Sequence, residues 1–182
     1  DTSNVTNMSN MFFGAINYNR DISWNVSNVT NMNGMFTGAT VFNSNISNWN
    51  VSNVKEMNNM FLKANNFNGD LNWNVANVTS MNNMFMGAES FNKNIGQWNV
   101  ANVIDMSWMF GHCTHFSQNL DKWKVDAVIN MNGLFYDAQM FKKNNMISLK
   151  NWNYKYASQK HMFDDASSFD RKNATWYDFS QS

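Results

Sequence analysis

Apolar residues recur along the chain in blocks with a fixed internal spacing. Met8, Met11, Phe12 and Ala15 stand at i, i+3, i+4 and i+7, and Met32, Met35, Phe36 and Ala39 repeat the arrangement. That spacing lines one face of a helix. It predicts a short helix of about two turns per block, partly 3-10 in character. Ser27-Asn28 offers an N-cap, and Gly14, Gly38 and Gly87 fall where a helix would stop. Between the blocks, stretches such as Ile46-Ser47-Asn48-Trp49-Asn50-Val51 place Trp and Val two apart, which predicts a short strand. Phe42, Phe67, Phe91, Phe116 and Phe141, with Tyr18 in the first block, form a column between the two elements.

The blocks belong to a repeat. Val5-Thr6-Asn7-Met8-Ser9-Asn10-Met11-Phe12 returns from Val29, Val54, Val78, Val103 and Val128, at separations of 24, 25, 24, 25 and 25 residues. A degenerate copy follows at about 153–172, around Tyr156 to Phe163. The chain, residues 1–182, thus reads as one domain of stacked coils. The slip between the two lengths lies between the aliphatic position and the Trp. Ile22 and Leu71 precede Trp24 and Trp73 by two residues, whereas Ile46, Ile95 and Leu120 precede Trp49, Trp98 and Trp123 by three. A small surface bulge or turn is expected there. A unit this small cannot bury its apolar face alone, so coils must stack. The expected fold is a right-handed, leucine-rich-repeat-like α/β solenoid, with one short parallel strand and one short helical turn per coil of 24–25 residues. At strand spacing, six coils would extend about 30 Å.

Composition sharpens this picture. There is no Pro, charged residues are 14%, and polarity comes from 36 Asn among 182 residues. Asn25, Asn50, Asn74 and Asn99 form one column and Asn28, Asn53, Asn77 and Asn102 another, placed to bond turn backbone; codon bias would produce a similar excess. Lys+Arg and Asp+Glu are both 13, which removes the electrostatic case for a nucleic-acid partner. No run is apolar enough to insert in a membrane and nothing at the start resembles a signal peptide; residue 1 reads as an internal point of a longer chain. One Cys excludes an internal disulfide framework. Charge concentrates after residue 104, including Lys142, Lys143, Lys150, Lys155 and Lys160, as a solvated cap would require.

Trp24-Asn25-Val26-Ser27-Asn28-Val29-Thr30-Asn31-Met32, then Met35-Phe36, Gly38-Ala39, Phe42-Asn43 and Ile46-Ser47, resembles the BspA-like surface-protein repeat. That repeat, of about 25 residues, occurs in mycoplasma lipoproteins and listerial surface proteins. The resemblance runs from Val5 to about Phe169 and weakens after residue 120, where Lys124 replaces Asn. It implies an extracellular module at the cell surface, its anchor outside this segment, used in attachment or protein–protein interaction.

Candidate chemistry is sparse. No phosphate loop, paired-acid motif or nucleophile elbow occurs, so an enzyme is not expected, and no cofactor or metal is implied. His112-Cys113-Thr114-His115 is the single cluster with ligand-forming residues, but Cys113 falls in the small, buried column of Ala15, Ala39, Ala64, Ala88 and Ala138. The Trp column (Trp24, Trp49, Trp73, Trp98, Trp123, Trp152) reads as core, or, if exposed, as a platform for sugar rings or protein hot spots. Trp108 breaks a column of Asn10, Gly34, Asn59, Asn83 and Gly133, as an exposed contact or by packing on a neighbouring coil. Asn59 itself is expected on the exposed helical face, where its loss would cost about 0.5 kcal/mol or less. Ser23, Asn48, Asn72, Gln97 and Lys122 form a non-identical row on the expected strand face. The partner, a protein on a host or neighbouring cell, or alternatively a glycan, is expected on this row, extended by Trp108; the remaining alternative is a structural spacer in a larger surface protein.

Overall fold

The computed structural model describes residues 1–141, 149, 152–153, 155–169 and 177–181. Coils stack through a chain of parallel bridges, Asn7 to Asn31, Glu56, Ser80, Asp105, Asn130 and Ser158. The bridge residue lies two positions after the anchor Val, on the approach to the first Met of each block. Each coil contributes a single bridged residue to this ladder. The strand therefore lies not at Trp49–Val51, as the Trp-x-Val spacing predicted, but just before Met57 and its equivalents.

The expected helix is replaced by a run of overlapping turns. In coil 3 the amides of Met60, Leu62 and Ala64 donate to the carbonyls of Met57, Asn59 and Phe61, at 3.3, 3.1 and 3.0 Å. Each bond spans three residues, and successive bonds start two residues apart. The intervening amides of Met57, Asn59, Phe61 and Lys63 donate sideways to Ser80, Asn82, Met84 and Met86 of the next coil. Half of the donors thus close turns and half join coils, so no α-helical i to i+4 series can form. The turn run reproduces the helical spacing of buried side chains: Met57, Met60, Phe61 and Ala64 are all fully buried.

Two positions per coil have left-handed backbone. The first column is Asn10, Gly34, Asn59, Asn83, Trp108, Gly133 and His161, with φ between 53° and 64°; the second is Gly14, Gly38, Lys63, Gly87, His112, Asp137 and Asp165. Gly and Asn reach this region at least cost, which explains their recurrence. Asn59 is half-buried, with φ 58°, and accepts a bond from Asn83 at 3.0 Å. It is a conformational residue rather than a passive surface one.

The extra residue of the longer coils forms the expected turn. Trp49, Trp98 and Trp123 donate from their amides back to Ile46, Ile95 and Leu120, three residues earlier. Both Asn columns also act as expected. Asn50 Oδ1 accepts from Ser52 N at 3.2 Å, and Asn53 Nδ2 donates to Ser27 O of the preceding coil at 2.8 Å.

The core is three stacks of rings. Phe36, Phe61, Phe85, Phe110, Phe135 and Phe163 succeed one another at 5.5–5.9 Å, nearly coplanar in orientation. Phe42, Phe67, Phe91, Phe116 and Phe141 form the second stack, and Trp49, Trp73 and Trp98 continue in the third. The Trp column is core: Trp73 is 5% exposed and its indole N–H donates to Ile46 O of the preceding coil at 3.0 Å. Trp49, Trp98, Trp123 and Trp152 do the same to Ile22, Leu71, Ile95 and Leu120. This satisfies the only polar group of a buried indole.

The degenerate last copy keeps the stack. Ser158 bridges Asn130, and Met162, Phe163, Ala166 and Phe169 occupy the core columns. Tyr156, at the anchor-Val position, is 76% exposed. Tyr177 and Phe179 then meet Phe163 and Phe169 edge-on and close this end of the ring stacks. A 3-10 helix spans Phe179–Gln181. Lys142, Lys143 and Lys150 lie outside the described residues.

Candidate functional site

Repetition commits most columns to folding, so a site must be sought where exposed columns vary from coil to coil. One such column is the predicted row. Ser23, Asn48, Asn72, Gln97 and Lys122 are all exposed, one per coil, in the loop between the aliphatic residue and the Trp. They lie on loops and turns, not on a strand face. Ser23 and Asn48 line a depression of about 350 Å³, and Gln97 and Lys122 another of about 370 Å³. Lys122 Nζ reaches Gln97 Oε1 at 3.4 Å across the coil boundary.

Trp108 is not part of that row. It occupies the first left-handed column, φ 57°, and is half-buried. Its ring lies over Gly133 of the next coil, where a Cβ would come within 2.5–2.7 Å of the indole. The indole also meets Tyr136 at 5.1 Å, tilted by 46°. Packing on the neighbouring coil, rather than free display, is the outcome here. Asp165 raises the Tyr136 phenol pKa, through a hydrogen bond first and its charge second.

The His112–His115 cluster divides between two roles. Cys113 is fully buried, which pushes its thiol pKa far up, and its Sγ lies 2.8 Å from Phe85 O as a donor. It is a small core residue with a suppressed thiolate. His112 Nδ1 lies 2.8 Å from Asp137 Oδ2, and His115 Nδ1 lies 2.8 Å from Glu89 O. Among the described residues no group of three or more His, Cys, Asp or Glu is arranged to hold a metal ion.

The structure adds a second variable surface, on the turn runs. A cleft of about 430 Å³ crosses coils 2 to 6. One wall is the second left-handed column: Gly38, Lys63, Gly87, His112 and Asp137. The other comes from two residues further on: Thr40, Asn65, Glu89 and Thr114. Gly38 and Gly87 leave notches on either side of Lys63, whose Cγ would lie 3.4 Å from a Cβ at Gly87. Sequence reasoning read these glycines as helix stops, which captured their left-handed backbone but not the cleft. The available signal was the alternation Gly, Lys, Gly, His, Asp within one repeat position.

These features define a repeat-solenoid protein. A family model described as "Mycoplasma protein of unknown function, DUF285" matches residues 1–72 and 71–176. The chain belongs to this family, in accord with the resemblance read from its repeats. No curated protein matches the chain. Among solved structures it is similar to a leucine-rich repeat protein from Eubacterium ventriosum ATCC 27560, with 15% identity and a TM-score of 0.50. The match covers 84% of this chain and 38% of that one, so the chain spans well under half the length of that protein. At this identity the likeness concerns the fold alone.

Proposed function

We propose that the chain is a non-enzymatic recognition module displayed at a cell surface, and that it binds a protein partner through the row Ser23, Asn48, Asn72, Gln97 and Lys122. One observation carries the reading. The row presents one exposed side chain per coil, with changing chemistry, between columns that are committed to the fold. The neighbouring Trp residues are buried and hydrogen-bonded, and Asn25, Asn50, Asn74 and Asn99 each close their own turn. A partner lying across several coils would gain affinity from many modest contacts and specificity from their differences. Surface display is supported by the resemblance to BspA-like repeats. The buried Trp column removes the aromatic platform that favoured a glycan at this face.

The test is to replace Asn48, Asn72 and Gln97 together with Glu. All three are exposed, so melting should change little. Adhesion to host cells should be lost while the fold persists. Undiminished adhesion by the folded variant would move the site elsewhere. Zero formal net charge further predicts that binding to a neutral partner surface depends weakly on salt.

A further inference from the structure

The turn-face cleft has features that folding does not require. Repeat geometry needs only a residue that tolerates left-handed backbone at each step, and Gly would serve throughout. Instead Lys63, His112 and Asp137 bring three different side chains to one wall. Two carboxylates along the cleft are pinned by neighbours. Asn65 Nδ2 donates to Glu89 Oε1 at 2.8 Å, while Asp137 is held by His112 Nδ1 at 2.8 Å and Gln139 Nε2 at 3.0 Å. An ionised carboxylate has about four acceptor sites, so each keeps capacity for a further donor. Donors are also on offer. The backbone N–H groups of Asn65 and Glu89 find no acceptor among the described residues, and Lys63 makes no ion pair there.

We propose that this cleft binds a short linear oligosaccharide lying along the solenoid axis, across coils 2 to 6. The cleft carries free donors on coils 3 and 4 and fixed carboxylate acceptors on coils 4 and 6, and a hydroxyl group is the ligand chemistry that serves both, since it donates and accepts. Spacing points the same way. Coils repeat at about 4.8 Å, so the cleft extends roughly 19 Å between its terminal coils. A chain of pyranose rings advances by close to one coil spacing per ring. An extended peptide presents same-side residues every roughly 6.6 Å and drifts out of step. The volume suits a small ligand, and the Gly38 and Gly87 notches let ring faces approach the backbone. Carboxylates held in place before binding reduce the ordering cost of engaging hydroxyls. This site is separate from the loop row, and either can fail without the other.

The experiment uses the whole chain on a printed array of short linear oligosaccharides, beside an array of unstructured peptides in the same format. Unaltered protein should bind a discrete set of glycans saturably. Glu89→Ala should weaken that binding about tenfold or more, at an unchanged melting temperature because Glu89 is exposed. Gly87→Asn, which keeps a residue tolerant of left-handed backbone and fills a notch, should abolish it. If Gly87→Asn lowers melting, Glu89→Ala decides the matter alone. The Asn48, Asn72 and Gln97 to Glu variant should bind the same glycans undiminished. No saturable glycan binding, glycan binding indifferent to Glu89→Ala, equal loss in the loop variant, or cleft-dependent capture of peptides with no glycan would each overturn the proposal.

Discussion

Coils 1 and 3 carry closely related turn runs, Val5-Thr6-Asn7-Met8-Ser9-Asn10-Met11-Phe12 and Val54-Lys55-Glu56-Met57-Asn58-Asn59-Met60-Phe61. Their backbones are also alike. Met11 N donates to Met8 O and Met60 N to Met57 O, both at 3.3 Å, and the left-handed residues Asn10 and Asn59 have φ 57° and 58°. Burial separates them. Met11 is 50% exposed and Met60 fully buried; Phe12 is half-buried and Phe61 fully so. Within residues 1–182 coil 1 has a neighbour on one side only, whereas coil 3 is covered on both. Local sequence therefore sets the turn conformation, while adjacent coils supply the burial. Stability should follow as a sum of interfaces rather than as a property of each copy.

The largest expected contrast comes from the ring stack. Phe61 meets Phe36, Phe67, Trp73 and Phe85, at 5.5, 4.0, 6.3 and 5.5 Å. Phe61→Ala should cost about 3–5 kcal/mol, the range for large-to-small changes in a packed core. Within residues 1–182 no ring lies on the other side of Phe12, so in this segment Phe12→Ala should cost about half of that or less. Equal losses in denaturant titrations would break the comparison.

The repeat length, the core columns, the Asn roles and the loop turn were all legible in the sequence, because each depends on residue type recurring in register. The secondary structure was not. A run of turns advancing by two residues buries positions i, i+3, i+4 and i+7 as a helix does, so periodicity cannot distinguish them at this length. A strand reduced to one bridged residue, such as Glu56, has no period of two to display. The Trp73-x-Val75 alternation comes instead from a loop whose apolar side chains turn inward. Asn59 was misjudged because its contribution is backbone sign, which hydropathy does not record. Variability singles out the row in the sequence, whereas the cleft leaves no such mark because its wall lies in a column that reads as glycine punctuation.

A smaller contrast concerns the indoles. Trp73 donates to the Ile46 carbonyl, whereas within residues 1–182 Trp24, partly buried, meets no preceding coil carbonyl. Trp73→Phe should cost about 1–3 kcal/mol, by losing the indole bond and part of the packed ring volume, while Ile46 O keeps its bond from Trp49 N. Trp24→Phe should cost well under that, and parity between the two would show that the indole bond contributes little.

The smallest contrast is expected to vanish between coils. Left-handed backbone is a local demand, so Asn10→Ala and Asn59→Ala should each lose about 1 kcal/mol. Asn59→Ala should lose slightly more, through its bond from Asn83. Gly at either site should recover most of the loss. A strong dependence on coil position here would mean that the turns, too, are imposed by neighbours.

Native-state hydrogen exchange tests the central claim, that neighbours rather than local sequence set stability. The amides of Phe12 and Phe61 make equivalent bonds, to Met35 O and Met84 O, both at 2.8 Å. Hydrogen-bond geometry alone predicts equal protection. If stability resides in the interfaces, Phe12 exchanges through local opening of coil 1, and Phe61 only through the cooperative opening of several coils. The expected result is markedly slower exchange at Phe61, with Phe85 and Phe110 alongside it. Equal protection at Phe12 and Phe61 would contradict the account.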